Sequence, residues 1–344
     1  MDFDTTKYTK RSYPRKRRTW IWSLFCCLAA FLVISLFTGN SATHDFTVAQ
    51  PRTCTETCFT VRINAWRRPL QLRRLVRRLA TCGEVGRIDV VWTDLENAPP
   101  SPKSLLGYAL PKSEAGRVLV ERHTENSLNQ RFSPLEPVHT HAVLSIDDDL
   151  MPTCDQLHYA FEAWKEHPHQ MVGWYPRVGP GIWNRNYTLI LTKGAFIHRK
   201  YLQLYWNDAI APLRQNVKEW MNCEDILMAH VVGNSTIGLP AIWVDAGIPF
   251  EQTNGMGGGI HSDRGLQFFI DQRRNCFNEF KKWFPPGVLE KQSAMRYVPI
   301  EYDGPLSVPK EKTIHLSNWH RLSGYFWEHV SFAWDYIFLS RNRR

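Results

Sequence analysis

HAVLSIDDDL, residues 141–150, reads as an apolar run that stops abruptly in three consecutive acids, Asp147, Asp148 and Asp149. A strand over His141–Ile146 is apolar enough to lie inside a sheet, and in open α/β sheets ligands sit beyond the carboxyl ends of the strands. The three acids fall at that end. In extended backbone alternate side chains share a face, so Asp147 and Asp149 are expected to face one ligand and Asp148 another. Hard divalent ions such as Mn2+ and Mg2+ prefer oxygen ligands and keep positions open for phosphate oxygens, which is chemistry an Asp-x-Asp pair can support. An isolated pair of acids is more often a solvated turn or a helix N-terminus. The apolar strand before these acids sets them apart.

Upstream, Phe59–Asn64 is a β-rich run followed by Arg67-Arg68-Pro69, with the proline suited to a first helical turn. Leu70, Leu72, Leu75, Val76 and Leu79 then recur at helical spacing, while Arg73, Arg74, Arg77 and Arg78 cover the other face as a solvated basic surface. Cys82-Gly83 closes this helix and Ile88–Trp92 is a second strand, giving a β-α-β opening with parallel neighbours. The fold class is therefore α/β, a mixed sheet flanked by helices. Asn97–Lys112 reads as a Pro- and Ser-rich loop and Val118–Val120 as a short strand. Downstream come strand-like Met171–Tyr175 and Tyr187–Leu191, a helix from about Cys223, strand-like Ala241–Val244 and a glycine-rich candidate mobile loop over Asn254–Gly259. From Pro285 onward aromatics are scattered without a motif.

The 344 residues, 43% of them apolar, suffice for one substantial core. The net charge of +9 is concentrated at the N-terminus, where Lys7, Lys10, Arg11, Arg15, Lys16, Arg17 and Arg18 face only Asp2 and Asp4. The dilute remainder argues against nucleic acid, which needs a concentrated basic face. After this tail, TWIWSLFCCLAAFLVISLFT carries no charge and is long enough to cross a bilayer as a helix. It exceeds the apolar stretch of a cleavable signal peptide, and the positive-inside rule leaves the N-terminus cytosolic, a type II topology. The expected organisation is a basic tail (1–19), a signal-anchor helix (20–38), a lumenal stem (39–58), a catalytic domain (59–284) and its C-terminal extension (285–344). Sequons at Asn186 and Asn234 suit a lumenal home. Outside the span, Cys54, Cys58, Cys82, Cys154, Cys223 and Cys276 permit fifteen disulfide connectivities, and residue spacing selects none. Zinc lacks a second close cysteine pair.

The chain resembles the exostosin-like family of glycosyltransferases, family 64, through FTVRINAWRRP, VVW, TENSLNQRF, HAVLSIDDDL, MVGWYPR, YTLILTKGAF, NCEDILMAH and QRRNC, in family order from Phe59 to Phe280. Each stretch is modest alone and the set is specific. The resemblance implies a GT-A-type fold, Mn2+ dependence with Mg2+ as the alternative, type II anchoring in the Golgi or endoplasmic reticulum membrane, and transfer with retention of configuration. It implies a nucleotide-sugar donor, by preference a UDP-N-acetylhexosamine, and a glycan or glycolipid acceptor. Mannosyl or glucosaminyl transfer to an inositol phosphorylceramide is the alternative.

The resemblance also assigns residues. Asn64 and Arg68 match nucleotide-side positions, and Asn126 and Arg131 match contacts to uridine and donor sugar. Asp147, Asp148 and Asp149 match the metal and donor triad, with Asp149 as the direct metal ligand and Asp147 beside it. Asp225 matches the acid facing the reacting sugar, Glu224 its acidic neighbour, and Arg273 an arginine on the diphosphate, where a fixed guanidinium stabilises developing charge. Helix capping is the plainer role for Asp225. Cys223 and Cys276 match a disulfide that would hold the Asp225 helix against the Arg273 segment. Thr93, followed by Asp94, stands where the family commonly has a base-contacting Asn; Glu224 is longer than its counterpart; and the segment from His261, itself a candidate for lining the diphosphate, to Arg273 is longer. An inactive, related binding partner of a polymerising enzyme would have lost an acid of the triad or Asp225, and all are present.

Overall fold

The computed structural model describes residues 54–107, 116–178, 186–251, 266–289 and 292–299. The span expected at 20–38, the glycine-rich stretch and His261 lie outside them. Among the described residues no helix is long and apolar enough to cross a membrane.

Strands β1 (Phe59–Ala65), β2 (Val85–Trp92), β3 (Val118–Arg122) and β4 (Ala142–Asp147) are the regular half of an eight-stranded sheet, β4 pairing with β1, β1 with β2 and β2 with β3, all parallel. β5 (Leu150–Met151) follows the acids, and short β6 (Val172–Gly173), β7 (Pro176–Arg177) and β8 (Leu189–Ile190) precede β9 (Gly194–His198). β9 inserts antiparallel between β4 and β6, after which β10 (Ile242–Val244) and β12 (Arg296–Tyr297) complete the order β12-β10-β6-β9-β4-β1-β2-β3. β11 (Phe250–Glu251) pairs with β5 and β7 with β8. The expected strands at Met171–Tyr175 and Tyr187–Leu191 shorten to two residues each. Beyond those strands the two segments still touch, the Trp174 and Leu191 amides bonding to the Gly194 and Tyr175 carbonyls.

Helix α1 (Pro69–Thr81) starts on its proline and buries Leu72, Leu75, Val76, Leu79 and Ala80, each such side chain contributing roughly 1.5–3 kcal/mol where large and fully covered. Leu70, in the first turn, departs from the expected stripe and is 53% exposed. The basic face is not wholly solvated, since Arg77 donates to the Leu105 carbonyl at 3.3 Å. Residues 97–112, expected as loop, contain helix α2 (Pro102–Leu106), nucleated by the Ser101 hydroxyl on the Ser104 amide. Helices α3 (Cys154–Glu166), α4 (Lys200–Tyr205), α5 (Ala211–Trp220), α6 (Glu224–Ser235) and α7 (Leu266–Phe280) complete the described residues. A Thr153/Gln156 capping box starts α3, and a Cys82–Cys154 disulfide fastens it to the end of α1.

Strand alternation sorts the core into two bodies. Phe59, Val61, Ile63, Leu144, Ile146 and Phe196 point to one face with α1 and α3, while Val143, Ala195, Ile197 and Trp243 point to the other with α4–α6. Under β1–β3 that second face is ionic. Fully buried Arg62 reaches Asp89 at 3.0 Å and Glu121 at 2.8 Å, and its Nε donates to the Arg131 carbonyl at 2.9 Å. The result is mixed α/β, a large mixed sheet flanked by helices, which fits the GT-A-type architecture.

Both sequon asparagines are exposed, Asn234 in the last turn of α6.

Candidate active site

The parallel register brings the strand ends together. Asn64 lies opposite Asp147 on β4 and Val91 on β2, the Thr93 amide bonds to the Ala65 carbonyl, and the Asp148 amide bonds to the Asn64 carbonyl at 3.3 Å. Thr93 is buried at this edge; Asp94 is committed to its own turn, accepting from the Glu96 and Asn97 amides. Asn64 Oδ1 is shut off from solvent without a hydrogen-bond partner.

β4 ends at Asp147, and Asp148-Asp149 form a turn before β5, so the expected extended run through all three acids is corrected to a corner. The cause is visible in the backbone, where the Asp147 amide is taken by the Lys193 carbonyl and the Asp148 amide by Asn64. The partners do not divide as alternation suggests, since Asp148 and Asp149 share Arg68 while Asp147 pairs with Arg131. Asp147 and Asp149 side chains are 24% and 19% exposed and Asp148 is 0%. Asp148 accepts from the Trp66 amide at 3.2 Å and pairs with Arg68 at 2.6 Å, while the same guanidinium reaches Asp149. Burial pushes the Asp148 carboxyl up to about 8, with Arg68 pulling it down and the two neighbouring aspartates pushing it further up.

Arg131 joins this corner to the helical side. Held on the 3-10 turn Leu128–Phe132, it meets Asp147 at 2.8 Å, the Thr192 hydroxyl at 3.3 Å and Glu224 at 3.5 Å. Glu224 opens α6, and burial pushes it up to about 7 against the pull of Arg131. Next to it, Asp225 receives a two-pronged pair from Arg273 on α7, at 3.0 and 2.8 Å. Asn222 supports that pair from both sides, accepting from Arg273 at 3.3 Å and donating to Gln272 at 2.9 Å. The Cys223–Cys276 disulfide implied by the resemblance is present. Met221 (φ 48) and Cys223 (φ 77) both adopt left-handed backbone, so the entry to α6 is a bent loop held in place by the disulfide and the Asn222 bonds. Asp225 Oδ1 also accepts from the amide of Ile226 at 2.8 Å, so helix capping and ion pairing coexist.

The structure thus gathers Asn64, Arg68, Arg131, the three aspartates, Glu224, Asp225 and Arg273 into one connected set. Asn126 is exposed ahead of the Leu128–Phe132 turn and lies outside this hydrogen-bonded set. Sequence reading passed over Asn222, Gln272 and Thr192; Asn222 adjoins Cys223 in the NCED stretch, which was the available signal. The acids offer hard oxygen donors suited to Mn2+ or Mg2+, and partly open Asp149 and Asp147 are the residues that would hold such an ion. Among the described residues, Glu84, His158 and Glu162 form a convergent His-carboxylate group, but Glu84 precedes β2 and so lies at the opposite ends of the strands.

A sequence profile of the glycosyl transferase family 64 domain matches residues 59–300. The chain belongs to glycosyltransferase family 64. The family 64 match spans both the acidic corner and the Asp225–Arg273 pair, so this protein is a glycosyltransferase enzyme, using a sugar donor and a glycan or glycolipid acceptor. Among its family 64 relatives, glycosylinositol phosphorylceramide mannosyl transferase 1 of Arabidopsis thaliana is 31% identical over 283 residues, covering 75% of this chain and 82% of that protein. Glucosamine inositolphosphorylceramide transferase 1 of Oryza sativa subsp. japonica is 30% identical over 290 residues, and this chain covers 37% of its length. Human exostosin-2 is 30% identical over 190 residues, with 26% of its length covered.

Proposed function

We propose that the protein transfers a hexosyl group from a nucleotide-sugar donor, with retention of configuration, to the headgroup of an inositol phosphorylceramide-type glycolipid. The observation that carries the reading is the Arg131 bridge, which connects the acids at the strand ends to Glu224 beside Asp225. The likeness to the Arabidopsis mannosyl transferase, which extends over 82% of that protein, supports the glycolipid acceptor. An N-acetylhexosamine donor, as heparan-type family members suggest, is the second reading, favoured by the 30% identity to exostosin-2.

Departure of a nucleoside diphosphate leaves negative charge on its phosphates. A bound Mn2+, or Mg2+, supplies Lewis-acid neutralisation of that charge. Asp149 and Asp147 would hold the ion, and Asn64 and Arg68 line the nucleotide side. Thr93 edges the base site and Asn126 reaches the donor from its exposed turn. Asp225, fixed in orientation by Arg273, faces the reacting sugar, and Arg273 carries positive charge toward the diphosphate. The chain acts from the Golgi membrane as a type II protein anchored by 20–38, with Asn186 and Asn234 glycosylated and a related glycosyltransferase as its partner in the same compartment.

A donor panel tests the proposal. Full-length protein in detergent is incubated with Mn2+ and GDP-mannose, UDP-glucosamine derivatives or other UDP-sugars, and released nucleotide is measured with and without inositol phosphorylceramide acceptors. Release from one donor, increased by a glycolipid acceptor and abolished by chelator, is the expected result. No release from any donor overturns it.

A further inference from the structure

Helices α5 and α7 both pack on α6 and leave a groove of about 400 Å3 between them. Among the described residues its lining is Asn216 and Trp220 from α5, Asn275, Asn278 and Glu279 from α7, and Lys282. Three features fix what chemistry it suits. First, the carboxamides of Asn216, Asn275 and Asn278 are not engaged in side-chain hydrogen bonds among the described residues. A carboxamide both donates and accepts, which is the complement of a hydroxyl group. Second, Trp220 packs part of its ring against the core below and is half-buried, leaving an apolar face with an N–H at its rim. Third, the two charged groups cancel locally, with Lys282 on Glu279 at 2.6 Å, so the groove offers no net charge to a phosphate, sulfate or carboxylate.

Amides, an indole face and charge neutrality together describe a polyhydroxylated, uncharged ligand. Position adds the functional link. Trp220 is followed by the Met221–Cys223 bend that presents Glu224 and Asp225, and Asn275 adjoins Cys276 of the disulfide that clamps this bend. The Asn222–Gln272 hydrogen bond ties the same bend to α7, one residue from Arg273.

We propose that this groove is a subsite for an uncharged saccharide, the distal ring or rings of the acceptor, stacked on Trp220 and bonded by Asn275 and Asn278. The saccharide's standing as acceptor rests on the transferase reading above; its binding does not. Full-length protein in detergent, without donor or metal, is applied to an array carrying neutral oligosaccharides alongside sulfated and uronate-bearing ones. Binding to neutral members, insensitive to salt, is expected, and the Asn275→Ala/Asn278→Ala double variant weakens it about tenfold, as loss of two modest hydrogen bonds requires. Both asparagines are exposed, so that variant keeps its melting temperature; Trp220→Ala, at a half-buried position, is read only if it does the same. Retention of acidic members alone, no retention of neutral ones, or undiminished binding by the double variant overturns the subsite. A blank donor panel with neutral-glycan binding intact rejects the proposed donor and acceptor and leaves the subsite standing.

Discussion

The two sides of the site are built by different means. Asn64 and Asp147 stand at the ends of parallel strands whose ladder hydrogen bonds fix them whatever their side chains do. Asp225 and Arg273 stand on two helices held together by their own ion pair, by Asn222 and by a disulfide. Backbone-placed acids are expected to separate chemistry from stability, and side-chain-placed ones to couple them.

The largest effects test that separation directly. Asp149→Ala is expected to lower transfer by about 10²–10³-fold, the usual scale for removing one electrostatic group, with the melting temperature close to wild type because Arg68 keeps Asp148. Asp225→Asn is expected to lose transfer and also about 3 kcal/mol of stability, because Arg273 is left with an uncompensated charge only 6% exposed. A thermal melt of Asp225→Asn superimposing on wild type would break the contrast. Next in size, Arg62→Met leaves Asp89 with Arg87 alone and Glu121 without an arginine beneath the parallel strands, and should cost about 3 kcal/mol in denaturant unfolding. A variant as stable as wild type would show that this ionic face is not structural.

Disulfides sharpen the comparison further. Opening Cys82–Cys154 or Cys223–Cys276 by paired serine substitution should cost about 2–5 kcal/mol each, since they close loops of 72 and 53 residues. Only the second should also lower turnover under conditions where the protein stays folded. Equal turnover losses from both would contradict the assignment of Cys223–Cys276 to the site.

The shallowest effect is on pH. Burial holds His230, whose Nδ1 bonds the Ile226 carbonyl at 2.9 Å, down at about 4, and burial with Lys200 does the same to His198. Both lie below the free value near 6.5, so their contribution is complete above that pH and is lost as pH falls toward 4. For buried His230 the slope is at most about 1.4 kcal/mol per pH unit. His230→Phe should flatten the melting curve across this window, and an unchanged slope would remove His230 from the account.

The regular half of the sheet was legible in sequence because its strands alternate or run apolar and its first helix shows a clean stripe. Helix α6 was found only by its start, since nearly every residue from Glu224 to Gly233 is buried and leaves no polar face to mark a period. Helix α3 was missed although TCDQ at 153–156 spells its capping box, and α5 although Pro212 opens it. The three aspartates were legible from the apolar strand before them, whereas the roles of Asp225 and Arg273 came from resemblance. Their connections did not, because Arg131 meets Asp147 and Glu224 across 16 and 93 residues of chain, and no local pattern encodes such a meeting.

Calorimetric titration of UDP and GDP into the full-length protein, with and without Mn2+, tests the central claim that the acidic corner holds a cation for a nucleotide. The prediction is that one nucleotide binds wild type only with the cation present and fails to bind Asp149→Ala. Equal affinity in that variant, or binding indifferent to Mn2+, would contradict it.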